Sequence, residues 1–167
     1  MPKTKTLEDL FLDTLKDIYY AEKKILKALP KMAKAAQDPE LKAGFEKHLR
    51  QTEVQVERLD KVFSSIGQAA RGKKCDAIEG ILEEGNSILE EYKGSPALDA
   101  GLIASAQAVE HYEITRYGTL KRWAETLGNS KAVQLLDATL QEESQTDEIL
   151  TMIAANANEA AKESMAA

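Results

Sequence analysis

The chain has 167 residues, which is the usual size of one domain and enough to bury a hydrophobic core without disulfides. Hydrophobic residues make up 43% and charged residues 30% of it, a balance that argues against disorder. The net charge of −6 argues against nucleic-acid binding, which depends on a basic surface. No run approaches the ~18 apolar residues that a membrane span needs. We therefore expect neither nucleic acid nor a membrane as a partner.

The cellular compartment is indicated by the cysteine content and by the first residues. Cys75 is the only cysteine, so it cannot form an internal disulfide, and this favours a reducing environment. Residues 1–5 lack the apolar stretch of a secretion signal. The sequence therefore predicts a cytoplasmic protein.

Hydrophobic periodicity predicts an all-α fold, because apolar side chains recur every three or four residues along most of the chain. Ala, Leu, Glu and Lys, which are strong helix formers, dominate the composition, and only 5% of the residues are aromatic. The predicted helices cover about residues 6–37, 39–66, 75–93, 97–127 and, after Asn129 and Ser130, 131–156.

Capping residues mark the starts of the first two helices. Thr6 and Asp9 have the spacing of a capping box. Asp38 is placed as the N-cap of the second helix, and Pro39 stands at its first helical position. Pro30 lies inside the first helix, where we expect it to kink the helix or to remove one hydrogen bond.

The lengths of the connections predict the topology. Short turns join the first helix to the second and the fourth to the fifth, whereas ~30 residues and a short helix lie between the second and fourth. This describes a ferritin-like four-helix bundle with an additional short helix in its middle crossover. We expect one domain over residues 1–167, with an ordered core over about 6–156 and a frayed, Ala-rich tail over 157–167.

Acidic residues interrupt the apolar faces of three long helices. Since an α-helix turns by about 100° per residue, Glu22 falls within ~30° of the centre of the first helix's apolar stripe. Glu110 and Glu113 lie one turn apart on the inner face of the fourth helix. Glu143 lies within ~30° of the stripe of the last helix, and Asp147 follows at its edge. Burying an unpaired carboxylate costs several kcal/mol, so a compensating group is expected.

The second helix brings polar groups to the same level of the bundle. Thr52 is central on its inner face, and His48 and Gln55 flank that position. Carboxylate oxygens and imidazole are ligands that suit iron or manganese. The alternative is a buried polar network without a metal, in which the acids meet Arg, Lys, Tyr or water. The residues predicted to hold the metal are Glu22, His48, Glu110, Glu113, Glu143 and Asp147.

Several stretches together resemble the YciF/YciE family of bacterial ferritin-like stress proteins over nearly the whole chain. The most specific are Val109-Glu110-His111-Tyr112-Glu113-Ile114 and Tyr117-Gly118-Thr119. The others are Tyr20-Ala21-Glu22-Lys23-Lys24, Phe45-Glu46-Lys47-His48-Leu49, Gln55-Val56-Glu57-Arg58-Leu59, Gly72-Lys73-Lys74-Cys75, Leu140-Gln141-Glu142-Glu143 and Thr146-Asp147. The resemblance implies a homodimeric, rubrerythrin-like bundle that is associated with bacterial stress, and it points to a di-metal centre.

The resemblance also implies roles for particular acids. The wider di-iron family uses one Glu from each of two helices and a Glu-x-x-His pair from each of the other two. Glu22 and Glu110 match the single-Glu roles, and Glu143 matches the Glu of the last pair. Thr146 stands where the last His is expected, and residues 50–53 match neither member of the other pair. The pattern is incomplete, which favours a single, weakly occupied or vestigial metal site over a full di-iron oxidase.

Two functional hypotheses follow from these residues. The first is a metal-binding stress protein that holds iron or manganese and has oxidase or peroxide-consuming activity. The second is a non-catalytic, dimeric structural or interaction protein with a vestigial polar site. The sequence leaves open whether the protein is an enzyme, and metal analysis separates the two hypotheses.

Overall fold

Five helices make up the secondary structure of the computed structural model, which describes residues 4–163 and the side chains of 4–162. No strand occurs within that range, so the all-α prediction is confirmed. The helices are α1 (Leu7–Ala35), α2 (Pro39–Ser65), α3 (Asp76–Glu91), α4 (Leu98–Thr126) and α5 (Ser130–Glu163).

The predicted caps are present at the starts of α1 and α2. The backbone N–H of Asp9 donates to the hydroxyl of Thr6 at 3.3 Å, and the N–H of Thr6 donates to the carboxylate of Asp9 at 3.0 Å. The carboxylate of Asp38 accepts hydrogen bonds from the first amides of α2, which begins at Pro39. Each cap satisfies donors that a helix start leaves without an intrahelical partner. α1 continues through the exposed Pro30 to its end at Ala35.

The four long helices form a closed ring of antiparallel neighbours. α1 and α5 each pack against both α2 and α4, and α3 lies against α4 and α1. At one end of the bundle, the Asp99 carboxylate on α4 accepts hydrogen bonds from the backbone N–H groups of Gln37 (2.9 Å) and Asp38 (2.7 Å) in the α1–α2 turn. At the other end, the side chain of Asn129 donates to Ser65 Oγ at 2.9 Å. These contacts place the start of α4 beside the end of α1, which is the predicted ferritin-like arrangement with α3 in the crossover.

The start of α3 is attached to two long helices through Cys75. Its buried sulfur accepts a hydrogen bond from the N–H of Ile78 at 3.3 Å and lies 3.0 Å from the hydroxyl of Tyr112. That hydroxyl donates to the carboxylate of Asp17 on α1 at 2.5 Å. Burial raises the pKa of the Cys75 thiol above its ordinary value, so the sulfur stays protonated at neutral pH.

α5 extends beyond the end that its sequence predicts. It continues from residue 156 to Glu163, because Ala157 is buried against the core and helix-forming alanines surround it. The part of the predicted frayed tail that covers residues 157–163 is therefore helical. Residues 164–167 lie outside the described range.

The core follows the axis of the bundle and is mostly apolar, with its buried glutamates at the middle level. Fully buried apolar side chains come from every long helix, among them Leu15, Leu59, Leu120 and Leu136. Each such side chain stabilises the fold by ~1.5–3 kcal/mol when it leaves water. Within residues 4–163, none of the helices combines the length and the apolarity that crossing a membrane requires.

Candidate metal centre

Four side chains from three helices converge at the middle of the bundle. His48 comes from α2, Glu110 and Glu113 from α4, and Glu143 from α5; one potential ligand atom of each lies within 4.8 Å of the others. His48 Nε2 is 3.2 Å from Glu110 Oε1 and 3.8 Å from Glu143 Oε2. None of the four side chains is more than 3% exposed. We call these four residues the His–Glu cluster.

The helical repeat explains why these side chains point inward. On α4, Glu110 and Glu113 are followed by the buried Tyr117, and this spacing keeps all three on one face. On α2, Thr52 lies one turn after His48, and its hydroxyl donates to the backbone carbonyl of His48 at 2.9 Å. Each residue is thus held by a regular helix rather than by a loop, which fixes the positions of the ligand atoms.

Glu22 lies beside the His–Glu cluster, on α1. Its carboxylate is fully buried and accepts a hydrogen bond from the hydroxyl of Tyr117 through Oε1. Burial raises the pKa of Glu113, and the charge of Glu22 raises it further, as expected of a neighbouring carboxylate. All four long helices therefore contribute to the polar level, as the sequence predicts.

Most of the polar atoms at this level have no hydrogen-bond partner among the described residues. They are Glu22 Oε2, both ring nitrogens of His48, Glu110 Oε2, and both carboxylate oxygens of Glu113 and of Glu143. Within residues 4–163, no lysine or arginine forms an ion pair with any of these four glutamates. Arg58, which reaches the same region, forms its ion pair with Glu142 at 2.6 Å. Because unpartnered buried polar groups are costly, a cation or protons must compensate the carboxylates.

Burial dominates the electrostatics of the site. It raises the pKa of Glu22 and that of Glu110 to about 8, and neighbouring carboxylates add to the effect. It also raises the pKa values of Glu113 and Glu143 well above the usual range, again together with the charges of nearby acids. Without a cation, protons therefore occupy carboxyl groups of the cluster at neutral pH. A bound cation would displace them, since metal ligands bind in the deprotonated form.

The structure does not bring Asp147 into the cluster, although the sequence predicts it as a ligand. Its carboxylate lies 3.1 Å from His111 Nε2 and accepts a hydrogen bond from the side-chain amide of Gln107 at 3.1 Å. Asp147 is one turn beyond Glu143 and lies at the edge of the apolar stripe, where the side chain turns toward the surface of α4. Its charge still contributes to the raised pKa of Glu110.

Two polar contacts near the cluster are absent from the sequence-based interpretation. The hydroxyl of Tyr117 donates to Glu22, a contact that the helical periodicity of α4 does not predict. The buried Gln55 donates to Glu142 at 3.1 Å, and Arg58 binds the same carboxylate through two nitrogens. The only signal for the second contact is the spacing of Gln55 and Arg58, which puts both on one face of α2.

The family model described as domain of unknown function DUF892 matches residues 6–163 of the chain. The chain belongs to the DUF892 family. YciF of Escherichia coli K12 is 46% identical over 153 residues, which are 91% of this chain and 92% of YciF. The resemblance to the YciF family that the sequence motifs indicate is thereby confirmed.

Solved structures show that DUF892 relatives share the fold. The crystal structure of the E. coli stress protein YciF matches with a TM-score of 0.89 and 45% identity, covering 93% of this chain and 99% of that one. YcfI from Rhodopseudomonas palustris, described as a candidate structural protein, matches with a TM-score of 0.85 and 47% identity, covering 90% and 96%. The helical-bundle prediction is therefore confirmed, and this chain is a homologue of a bacterial stress protein.

Proposed function

We propose that this DUF892 protein binds iron or manganese through the His–Glu cluster and serves in a bacterial stress response. The convergence of four buried ligand atoms within 4.8 Å, without a lysine or arginine as counter-charge in the described part of the chain, carries the proposal. Carboxylate oxygens with one imidazole are a donor set that suits these metals. The stress association rests on the similarity to E. coli YciF.

The site residues have separate roles under this proposal. His48, Glu110, Glu113 and Glu143 would hold the ion, and Glu22 offers one further oxygen, because the Tyr117 hydroxyl occupies only its Oε1. A bound redox metal would supply oxidase or peroxide-consuming chemistry. The low polarity of the surrounding core strengthens the attraction between the carboxylates and a cation.

We further propose that the protein acts as a homodimer in the cytoplasm. The dimer rests on the family resemblance of the sequence motifs. The compartment rests on Cys75, a free thiol that needs no oxidising environment.

Metal analysis tests the proposed site. Metal-depleted protein reconstituted anaerobically with Fe(II) or Mn(II) should retain near-stoichiometric metal after desalting, as measured by elemental analysis. Glu110→Gln should lower the affinity by ~10- to 100-fold or more, since even the loss of an outer-shell partner has an effect of that size. Glu148→Gln, on an exposed position of α5, is the matched control and should bind metal like the wild type. A wild-type protein that retains neither metal would rule out the proposal.

The competing function is a non-catalytic structural module whose carboxylates share protons. The description of R. palustris YcfI favours it, and so do the raised pKa values of the cluster. In that case Glu110→Gln and Glu143→Gln would leave stability unchanged or raise it, because an amide carries no charge and needs neither a proton nor a counter-ion. Added metal would then have no effect on the thermal unfolding of either variant.

A further inference from the structure

A cavity of about 50 Å³ lies directly beside the His–Glu cluster, on the side of the α1–α2 turn. Two cluster residues, His48 and Glu110, form part of its wall. Most of the remaining wall is apolar, and its buried members are Ile25, Leu29, Phe45, Ala106, Val109 and Leu150. The cavity therefore joins the polar site to the hydrophobic core.

The size and polarity of the cavity restrict its occupant. One water molecule needs ~10–15 Å³ measured in this way, so there is room for a molecule of two or three heavy atoms. A water or a peroxide in the apolar part would lack hydrogen-bond partners, whereas an apolar guest loses nothing there. Apolar cavities in proteins stay dry and bind guests such as xenon.

An entry route is indicated on the side of α2 and α5. The polar wall residues outside the cluster are the exposed Lys47 and the partly exposed Gln51 and Thr146. Gly44, also in the wall, has free space around it, because an added Cβ would meet only Ile153 Cδ1, at 3.9 Å. The cavity thus approaches solvent where α2 meets α5 and ends at His48 and Glu110.

We propose that this cavity binds an uncharged, apolar molecule of the size of dioxygen and presents it to the His–Glu cluster. The inference rests on the proposed metal site for its purpose, but the binding itself needs no metal. The apolar wall between the two polar ends of the cavity favours dioxygen over hydrogen peroxide, because the hydroxyl donors of a peroxide find acceptors only at those ends, in His48 and Glu110 or in Gln51 and Thr146. The small-molecule ligand of the His–Glu cluster is then an apolar gas rather than a peroxide.

Three measurements on the metal-free protein test the proposal. Xenon-pressurised crystals should show one xenon in contact with Val109 and Leu150. In solution, dissolved dioxygen should enhance the relaxation of the methyl groups of Ile25, Leu29, Val109 and Leu150 more than that of other buried methyls. Hydrogen peroxide at the same concentration should leave the chemical shifts of these methyl groups unchanged.

Substitutions that fill the cavity test the proposal further. Ala106→Leu should reduce the xenon occupancy and the dioxygen effect at least tenfold, and Ala106→Val, a milder change, should reduce them less. Ala108→Leu, at an exposed position on the same helix, is the control and should bind xenon normally. Absence of xenon and of the dioxygen effect in the wild type would overturn the cavity proposal whatever the metal analysis shows. Gas binding in a protein that retains no metal would instead overturn the metal site alone.

Discussion

The carboxyl groups of Glu22 and Glu110 link the candidate site to stability, because burial raises both pKa values to about 8. In the unfolded chain a glutamate titrates near its ordinary value of ~4.3. Between these two values the folded state holds protons that the unfolded chain has already released. Stability that depends on those protons is therefore present at acidic pH and is lost as the pH rises toward about 8.

The metal-free protein should accordingly become less stable with rising pH. We expect the free energy of unfolding in urea to fall by ~2 kcal/mol or more between pH 5.5 and 8.5, since one pKa unit corresponds to ~1.4 kcal/mol. Glu110→Gln should flatten this dependence, because glutamine does not ionise. Adding Fe(II) or Mn(II) at pH 8.5 should restore the lost free energy of unfolding. A metal-free stability that is constant or rises over this range would contradict the protonated carboxyls.

Sequence predicts the acids of the site well at the level of single residues. Glu110 and Glu113 belong to the His–Glu cluster, as their angle on α4 indicates, because a regular helix fixes that angle. The contacts of Asp147 and Tyr117 do not follow from helical periodicity. A side chain at the edge of the apolar stripe, such as that of Asp147, can point either into the core or toward the surface. The contact of the Tyr117 hydroxyl with Glu22 depends on how α4 packs against α1.

At the scale of the helices, the start of α4 carries a contact that its own sequence does not reveal. No side chain caps α4. The carboxylate of Asp99, which is 8% exposed, instead binds two amides of the α1–α2 turn. The turn between α1 and α2 is therefore held in place by a side chain of α4.

Asp99→Asn should destabilise the protein by ~1–3 kcal/mol, because the single neutral oxygen of asparagine replaces the two charged oxygens that accept from the two backbone amides. Urea unfolding provides the measurement. Asp137→Asn, which removes a half-exposed ion pair with Lys121 on the surface, is the control and should cost at most ~1 kcal/mol. Equal effects of the two substitutions would show that Asp99 does not hold the turn.

The bounds of the helices follow closely from local signals, with one exception. Thr6 and Asp38 locate the starts of α1 and α2, because capping is a local interaction. The end of α5 is different, since its last turns gain stability from the burial of Ala157 against other helices. The Ala-rich composition of residues 157–167 gives no indication that Ala157 packs against other helices.

At the scale of the whole molecule, the connection lengths suffice to predict the bundle. Two short turns and one long crossover define two antiparallel pairs and bring the acids to one level. The face on which α3 packs is not predictable in this way. It is set by contacts between residues far apart in sequence, such as those of Tyr112 with Cys75 and Asp17 and that of Tyr20 with Glu79.

The burial of Cys75 makes the crossover observable by simple chemistry. Its thiol is 1% exposed under the first turn of α3, so a thiol reagent can react only after α3 has moved off α4. Native protein should therefore be labelled much more slowly than urea-unfolded protein in a colorimetric thiol assay. Tyr112→Phe should accelerate labelling about five- to tenfold, since a hydrogen bond contributes ~1 kcal/mol. Tyr92→Phe, at an exposed site, should not change the rate.

Equal labelling of the native and unfolded chains would show that α3 is detached most of the time. If the native protein is labelled slowly, the labelling rate of Cys75 reports how often α3 detaches from the bundle. No engineered probe is needed.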